Sequence, residues 1–366
     1  DLIEKGYKFK NNTDTEVLLN GLVDEGPNFI SKCNGMFAFA YYNKYKKTSY
    51  IFRDRIGIKP LFYTVQNGKI TFSSNIKAIH SYNKKNKEIN IESVSSYFSF
   101  RQPLGNNTYF KKIYSLEPGH YIEIKNKKIK IKKYWDYTSF FLENKIDKGE
   151  DYYKEKLTNL IESSVKYRLI SDVKVASLLS GGLDSTIIAS IINKQIKKNF
   201  LAYSIGYSEK DYNEFKYSKL VAKKLDMKHT IVSTNADKYF DDMEKLIELR
   251  GQPLTIPNEV SQYRLCNEIK KKASVVLSGS GADELFCGYG KIFGSVDDYN
   301  KVKTLSVFKN QSNKKKFLKN IKSRYKKTNF KNHLDHFLSI YPYTNEKLKR
   351  DILHKNTNHA QIKLSI

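Results

Sequence analysis

The sequence predicts an α/β protein made of two unlike halves, and three observations carry that prediction. Residues 1 to about 82 contain short apolar runs of strand length, separated by Lys- and Gly-containing turns, which is how antiparallel strands read. From about residue 151 apolar strands alternate with helical stretches, the rhythm of a parallel sheet covered on both faces. Twice in that second half a Gly-rich turn stands between a strand and a helix. At 366 residues the chain has room for about two domains.

In the first half the expected strands are Gly35 to Tyr42, Ser49 to Phe52, Pro60 to Val65 and Lys69 to Phe72, read as one antiparallel meander. A helix is expected from Thr13 or Asp14, because Asp14, Thr15 and Glu16 precede the apolar Val17, Leu18, Leu19, Leu22 and Val23. Another is expected near Asn75. Residues 83 to 150 read as a polar connector. It holds Tyr109 to Tyr114, a turn at Glu117-Pro118-Gly119-His120, a Lys-rich hairpin around Asn126 and, near its end, Trp135. The second half then runs helix (Tyr152 to Leu169), strand (Val173 to Leu179), Gly-rich turn and helix (Asp184 to about Lys194). A strand (Leu201 to Ile205), a helix (Asn213 to Leu225), a strand near His229 to Val232 and two helices follow. The strand Ala273 to Leu277 leads into the second Gly-rich turn and helix. Residues after about 300 read as mostly helical, and no repeat of fixed period is visible.

The first Gly-rich turn is Ser180-Gly181-Gly182-Leu183-Asp184-Ser185. The leading amides of a helix have no partner inside it and the helix dipole is positive there, so a strand-turn-helix junction is an anion site. Gly181 and Gly182 allow close backbone approach. Ser180 and Ser185 can donate to phosphate oxygens. Asp184 would repel a bare phosphate and makes sense if it holds Mg2+. No Lys follows in the Gly-x-x-x-x-Gly-Lys-Ser/Thr spacing, so this is not that phosphate loop. A helix N-cap after a Gly turn is the plain alternative. The second turn, Ser278-Gly279-Ser280-Gly281-Ala282-Asp283-Glu284, repeats the logic, with Asp283 as a second Mg2+ ligand. Alone it is weaker, since acidic residues in a first helical turn complement the dipole anyway. In an open parallel sheet, loops at the carboxyl ends of strands line the ligand crevice, so the two turns together point to a single ATP site.

Composition excludes several other classes. The chain is 40% hydrophobic and 13% aromatic, with 27 Tyr and 21 Phe against one Trp, enough for packed cores. No apolar run approaches the roughly 18 residues that cross a bilayer. No charged-then-apolar leader is visible, so a cytoplasmic protein is expected. Cys33, Cys266 and Cys287 are odd in number and widely spaced, and read as free thiols rather than a disulfide frame or a zinc site. The net charge of +27 is mostly Lys, is spread along the chain and travels with many Asn, Ile and Tyr, as an A/T-rich coding bias would produce. It is read as solvated surface and not as a nucleic-acid site. The densest stretch, Lys303 to Lys331, is read as a solvated helical face. A positive field also helps to recruit ATP.

The motifs then resemble a known family. Ser180 to Ser185 matches the Ser-Gly-Gly-Leu-Asp-Ser loop of glutamine-dependent asparagine synthetases, a branch of the PP-loop ATP pyrophosphatases. Ser278 to Tyr289 (SGSGADELFCGY) is similar to that family's Ser-Gly-Glu-Gly-Ala-Asp-Glu-x-Phe-Gly-Gly-Tyr. Thr13 to Glu16, Asn34 to Phe39 and Arg53 to Leu61 resemble the later part of a class II glutamine amidotransferase domain. The resemblance covers most of residues 1 to 300. It implies a partial N-terminal-nucleophile αββα sandwich (1–82), a connector (83–150) and a PP-loop, adenine nucleotide α-hydrolase-like domain (151–366) with an incomplete C-terminus.

The activity it implies is ATP, aspartate and glutamine giving asparagine, glutamate, AMP and pyrophosphate through β-aspartyl-AMP. Ammonia comes from glutamine, and ATP and Mg2+ serve the synthetase domain. No nucleic acid and no membrane are expected as partners, and a homodimer is left open. By the same resemblance, Leu179 and Ile205 hold the adenine, Ser278 and Gly279 close the site, and Asp14 binds the amino group of glutamine, although a helix N-cap would explain Asp14 unaided. Arg53 and Asp54 stand at the family's strand-end Arg-Asp, where a structural salt bridge competes with a catalytic role.

Three features depart from the family pattern. Its amidase nucleophile is an N-terminal Cys, whereas residue 1 is Asp and Cys33 reads as packing; the family's Asn-Gly oxyanion-hole segment finds no match either. The expectation is that a Met-Cys start lies upstream and that this stretch alone has no glutaminase activity. The family's later Lys segment and its Glu-x-Arg-x-Pro-Phe-Leu-Asp block also find no match. Finally, Ser280 stands at the family's Glu, which assists adenylation and ammonia deprotonation. A Ser hydroxyl is no general base near neutral pH. Three readings follow: asparagine synthetase; an amidotransferase for another carboxylate, such as one on a sugar or secondary metabolite; or a non-catalytic nucleotide-binding relic. Gln252, Pro253, Asn258 and Glu259 fall in the acceptor region.

Overall fold

A computed structural model of the chain describes residues 1–82, 88–143, 145–196, 200–207, 213–305, 310–325, 327–340, 343–344 and 346–353. Two compact units are present, one built mainly on Asp1–Lys145, the other on Ile146–Ile247 and Leu254–Tyr343.

The first unit opens with α1 (Asp14–Asp24) and a 3-10 turn (Gly26–Lys32), then β1 (Ala38–Asn43), β2 (Thr48–Arg53), β3 (Phe62–Gln66), β4 (Lys69–Ser73), α2 (Ile76–Tyr82) and α3 (Ile91–Phe100). It continues with β5 (Tyr114–Ser115), β6 (His120–Lys125), β7 (Lys128–Lys133) and α4 (Ser139–Leu142). The strands do not form one meander. They split into two antiparallel sheets, ordered β1-β2-β6-β7 and β4-β3-β5.

Strand periodicity explains how the sheets stack, since neighbouring side chains point to opposite faces. Tyr50 and Phe52 of β2 pack with Leu22, Ile30 and Tyr121 under α1. Ile51 between them packs the other way, with Leu61, Tyr63, Leu116 and Ile122 between the two sheets. Beyond the second sheet, Ile76 and Ile79 of α2 pack with Ile113, Phe62 and Phe110. The layers are therefore helix, sheet, sheet, helix, as the family resemblance implies.

The stretch read as a connector is not a tether. Residues 83–87 and 144 lie outside the described residues, but the remainder supplies three strands. β7 alternates Ile with Lys, while β6 buries the adjacent Tyr121 and Ile122 on opposite faces, so the Lys-rich composition reads as polar although these are sheet strands. The expected hairpin is there: Asn126 and Lys127 both have positive φ (49° and 62°), the two-residue turn whose twist suits antiparallel neighbours.

The second unit runs α5 (Glu150–Leu169), β8 (Val175–Leu178), α6 (Leu183–Gln195), β9 (Leu201–Tyr207), α7 (Phe215–Lys224), β10 (Lys228–Thr234), α8 (Tyr239–Arg250), α9 (Asn258–Ile269), β11 (Val275–Leu277) and α10 (Ala282–Phe286). Its sheet is ordered β10-β9-β8-β11 and is parallel throughout. One face carries Val165, Ala189, Ile192, Ala202 and Ala222 from the strands and from α5, α6 and α7. The other carries Ala176, Tyr203, Leu265, Ile269 and Ala273, under α9.

Short helices follow: α11 (Gly290–Phe293), α12 (Ser295–Lys303), α13 (Gln311–Tyr325), α14 (His333–Leu338) and α15 (Glu346–Ile352). Tyr299, Val302, Ile321, Tyr325 and Phe330 form a core among them. Residues 306–309 and 326 of the basic stretch lie outside the described residues. In α13 only Ile321 and Tyr325 are buried, and Lys315, Lys316, Lys319 and Lys322 are exposed, which is a solvated face. Among the described residues no helix is long and apolar enough to cross a membrane.

Candidate nucleotide site

The site is built at the carboxyl ends of β8, β9 and β11. The Leu179 amide extends the β8–β9 ladder by one bond, donating to Tyr203 O at 2.8 Å. The chain then turns. Ser185 Oγ is the hub of that turn: it accepts from the Ser180 amide at 3.2 Å, lies 2.9 Å from Ser180 Oγ and donates to Gly182 O at 3.1 Å. Ser180 Oγ in turn accepts from the Gly182 amide at 3.1 Å. Gly182 is the N-cap of α6 and supplies no capping side chain, so the helix begins with open amides. The plain N-cap alternative is therefore not what is seen. Ser180 and Ser185 hold the loop to itself and leave the helix end for an anion.

The second turn leans on the first. A Cβ on Gly279 would lie 2.8 Å from Asp184 Cβ and 3.0 Å from the Ser185 amide nitrogen, so only glycine lets the loops meet. The Ser280 amide donates to Ser278 Oγ at 3.3 Å.

One cleft results, and it is lined by Leu179, Ser180, Gly182, Asp184, Ser185, Ile205, Ser278, Gly279 and Ser280, nine of the residues expected from sequence. Gly181 and Asp283 do not line it. Gly181 has φ +88° and backs onto α7, where a Cβ would fall 2.5 Å from Tyr217 Cβ and 2.6 Å from the Ser218 amide nitrogen, so its role is to let the loop turn. Asp283 is exposed in the first turn of the five-residue α10, and a Cβ on Gly288 would lie 1.8 Å from its Oδ1. It faces its own loop's return and not the cleft.

Four lining residues escape sequence reading: Leu178, Tyr203, Ser204 and Leu265. Ser204 Oγ donates to Leu179 O and lies 2.7 Å from His229 Nε2. Burial, with Lys219 nearby, holds the His229 imidazole below its ordinary pKa. Neither residue belongs to a motif, and only strand register brings Ser204 to the cleft with His229 behind it.

Cys287 has φ +61° at the position of a Gly in the resembled motif, so a side chain sits in left-handed backbone there.

Asp14 is not a cap. Thr13 Oγ1 caps α1 by accepting from the Glu16 amide, and Asp14, one residue on, is exposed. Arg53 and Asp54 form no ion pair with each other among the described residues. The Arg53 guanidinium donates to Lys59 O (2.9 Å), Gly57 O (3.0 Å), Ser115 Oγ (3.0 Å) and Leu116 O. Asp54, 1% exposed, accepts from the amides of Ile58 and Lys59, both at 2.9 Å. Each braces the loop that carries the chain from one sheet to the other. Cys33 is half-buried under α1, donates to Phe29 O at 3.7 Å, and burial raises its thiol pKa, the opposite of an activated nucleophile.

A family model described as asparagine synthase matches residues 156–359. The chain belongs to the asparagine synthase family. Both Gly-rich loops fall inside that match. A second model, for a glutamine amidotransferase domain, matches residues 1–135 and so includes β5 to β7. Among curated relatives the chain is 33% identical to asparagine synthetase [glutamine-hydrolyzing] 1 of Bacillus subtilis (strain 168), over 79% of this chain and 45% of that protein. It is 29% identical to asparagine synthetase [glutamine-hydrolyzing] 3 of the same organism, over 79% of this chain and 49% of that one. It therefore spans about half the length of these asparagine synthase relatives. Among solved structures, glutamine-dependent NAD+ synthetase from Acinetobacter baumannii in complex with ADP is 14% identical, with TM-score 0.31, over 76% of this chain and 67% of that chain.

Proposed function

We propose that the cleft between the Ser180 and Ser278 loops binds ATP, and that the protein uses it to activate a carboxylate by adenylation before amide formation. Aspartate is the first candidate acceptor. Its β-carboxylate attacks the α-phosphorus of ATP, the α–β phosphoanhydride bond breaks and pyrophosphate leaves. Ammonia, released from glutamine, then displaces AMP to give asparagine. The observation that carries this reading is the uncapped α6 N-terminus meeting a second strand-end loop in one cleft. Open amides stabilise negative charge where the pyrophosphate develops it.

Leu179 and Ile205 would flank the adenine, Ser180, Gly182 and Ser185 the phosphates, and Ser278 and Gly279 the far wall. Mg2+ binds through one or two carboxylates plus substrate phosphates, and Asp184 on the cleft wall suits that; Asp283 would need to turn toward the cleft to join it. When bound, the ion would neutralise phosphate charge. In the first unit Asp14 would meet the amino group of a glutamine. Cys33 is not offered as the amidase nucleophile.

Ser280 favours a second reading. It lines the cleft at the family's Glu, so that position offers no carboxylate base, which favours a different carboxylic acid as substrate. ATP–pyrophosphate exchange on the full-length gene product decides between them. Exchange that requires aspartate is the expected result. Exchange with a different acid alone selects the second reading. Absence of exchange across a broad set of acids, alongside measurable ATP binding, sinks both.

A further inference from the structure

The register of β8 and β9 leaves one backbone edge open, and a Ser–His side-chain pair keeps it so. In a parallel ladder a residue's N–H and C=O point to the same neighbour, and alternate residues face alternate neighbours. The Leu179 amide donates to Tyr203 O, so Tyr203 faces β8, and Ile205, two residues on, faces the same way. Continued regularly, the ladder would next join the Ile205 amide to Leu179 O. Among the described residues that bond is not made. Leu179 O takes the Ser204 hydroxyl instead, and the Ile205 N–H and C=O are left toward the cleft that Ile205 lines.

The direction of the Ser204 hydroxyl is set from behind. Serine has one proton to donate. That proton goes to Leu179 O, so in the 2.7 Å contact with His229 the hydrogen is carried by Nε2 and Ser204 Oγ accepts it. Ser204 is 4% exposed, so a hydroxyl left without this arrangement would be a buried unmet group.

We propose that His229 and Ser204 are a positioning pair for purine recognition. By holding Leu179 O, they keep the Ile205 N–H and C=O free to pair with the N1 and 6-amino edge of adenine. The inference rests on the ATP reading above. Neither residue need touch the reacting phosphates; their effect is on which base the cleft accepts.

The test is calorimetric titration of the chain with ATP and with inosine triphosphate, whose base reverses that donor–acceptor edge. The wild-type chain is expected to prefer ATP. Ser204→Ala should weaken ATP binding about three- to tenfold, the worth of one hydrogen bond, and move the ATP-to-inosine preference toward unity. His229→Leu should do the same. Ser204→Thr keeps the hydroxyl and His229→Gln keeps an N–H donor, and both should retain the preference. A structural role alone would lower affinity for both nucleotides equally in every variant, and that result overturns the proposal. So does a wild-type chain that binds the two equally, or Ser204→Ala and His229→Leu variants that keep the wild-type preference. A wild-type chain that binds no ATP overturns the nucleotide reading and this inference with it, so the two failures are told apart.

Discussion

The two Gly-rich loops follow parallel strands and open helices, yet they are held by different means. The Ser180 loop is braced from within, by four hydrogen bonds among Ser180, Gly182 and Ser185, and enters a 13-residue helix. The Ser278 loop has one such bond, from the Ser280 amide to Ser278 Oγ. It enters a helix of five residues and takes its shape from close approaches at Gly279 and Gly288. The first keeps its shape through its own side chains; the second is a wall placed by steric fit. The departures from the family motif follow the same division. Ser180 to Ser185 is unchanged, whereas the second loop carries Ser280 for Glu and Cys287 for Gly. A loop whose side chains bond to one another tolerates no exchange without losing its shape, while one held by packing can change where it touches nothing.

Five variants test this contrast, from the largest expected effect to the smallest. Gly181→Ala adds a Cβ at φ +88° against α7 backbone and should destabilise the second unit by about 3 to 5 kcal/mol, read as a lowered chemical-denaturation midpoint and loss of ATP binding. If it folds and binds normally, the loop is not held as described. Ser280→Glu restores the family's carboxylate on a wall that does not depend on it for shape. Aspartate-dependent pyrophosphate exchange should rise about a hundredfold at unchanged stability; a flat rate would place the acceptor chemistry elsewhere. Ser185→Ala removes the hub of the first loop and should weaken ATP binding by about 1 to 2 kcal/mol, with a smaller loss for Ser278→Ala. Equal losses would erase the distinction between bonded and packed loops. Cys287→Gly relieves left-handed backbone and should stabilise the fold by about 1 kcal/mol, visible in thermal melts. A drop instead would mean that the thiol is part of the packing.

Much of this was legible beforehand for reasons that can be named. Strand and helix periods differ, so the alternation after residue 151 reads directly, and the two strand-turn-helix junctions locate seven of the nine lining residues because a helix end is a local feature; Leu179 and Ile205 were implied by the family resemblance. Other features were hidden by their own composition. The β6 and β7 strands count as polar because of their Lys residues, although Tyr121 and Ile122 of β6 are buried. Reading Asp283 by analogy with Asp184 did not foresee that α10 closes within five residues and sets Asp283 beside Gly288, outside the cleft lining.

By itself the sequence determined the alternation that makes the parallel sheet and the strand-turn-helix junction at Ser180, since each follows from side-chain period or from local turn chemistry, whereas the layering of the first unit was implied by the family resemblance. Tertiary structure alone decided that the two loops touch through Gly279 and that β2 pairs with β6 rather than with β3. It also decided that Ser204 reaches the cleft with His229 behind it. These depend on strand register, which couples residues far apart in the chain and leaves no mark in any local motif.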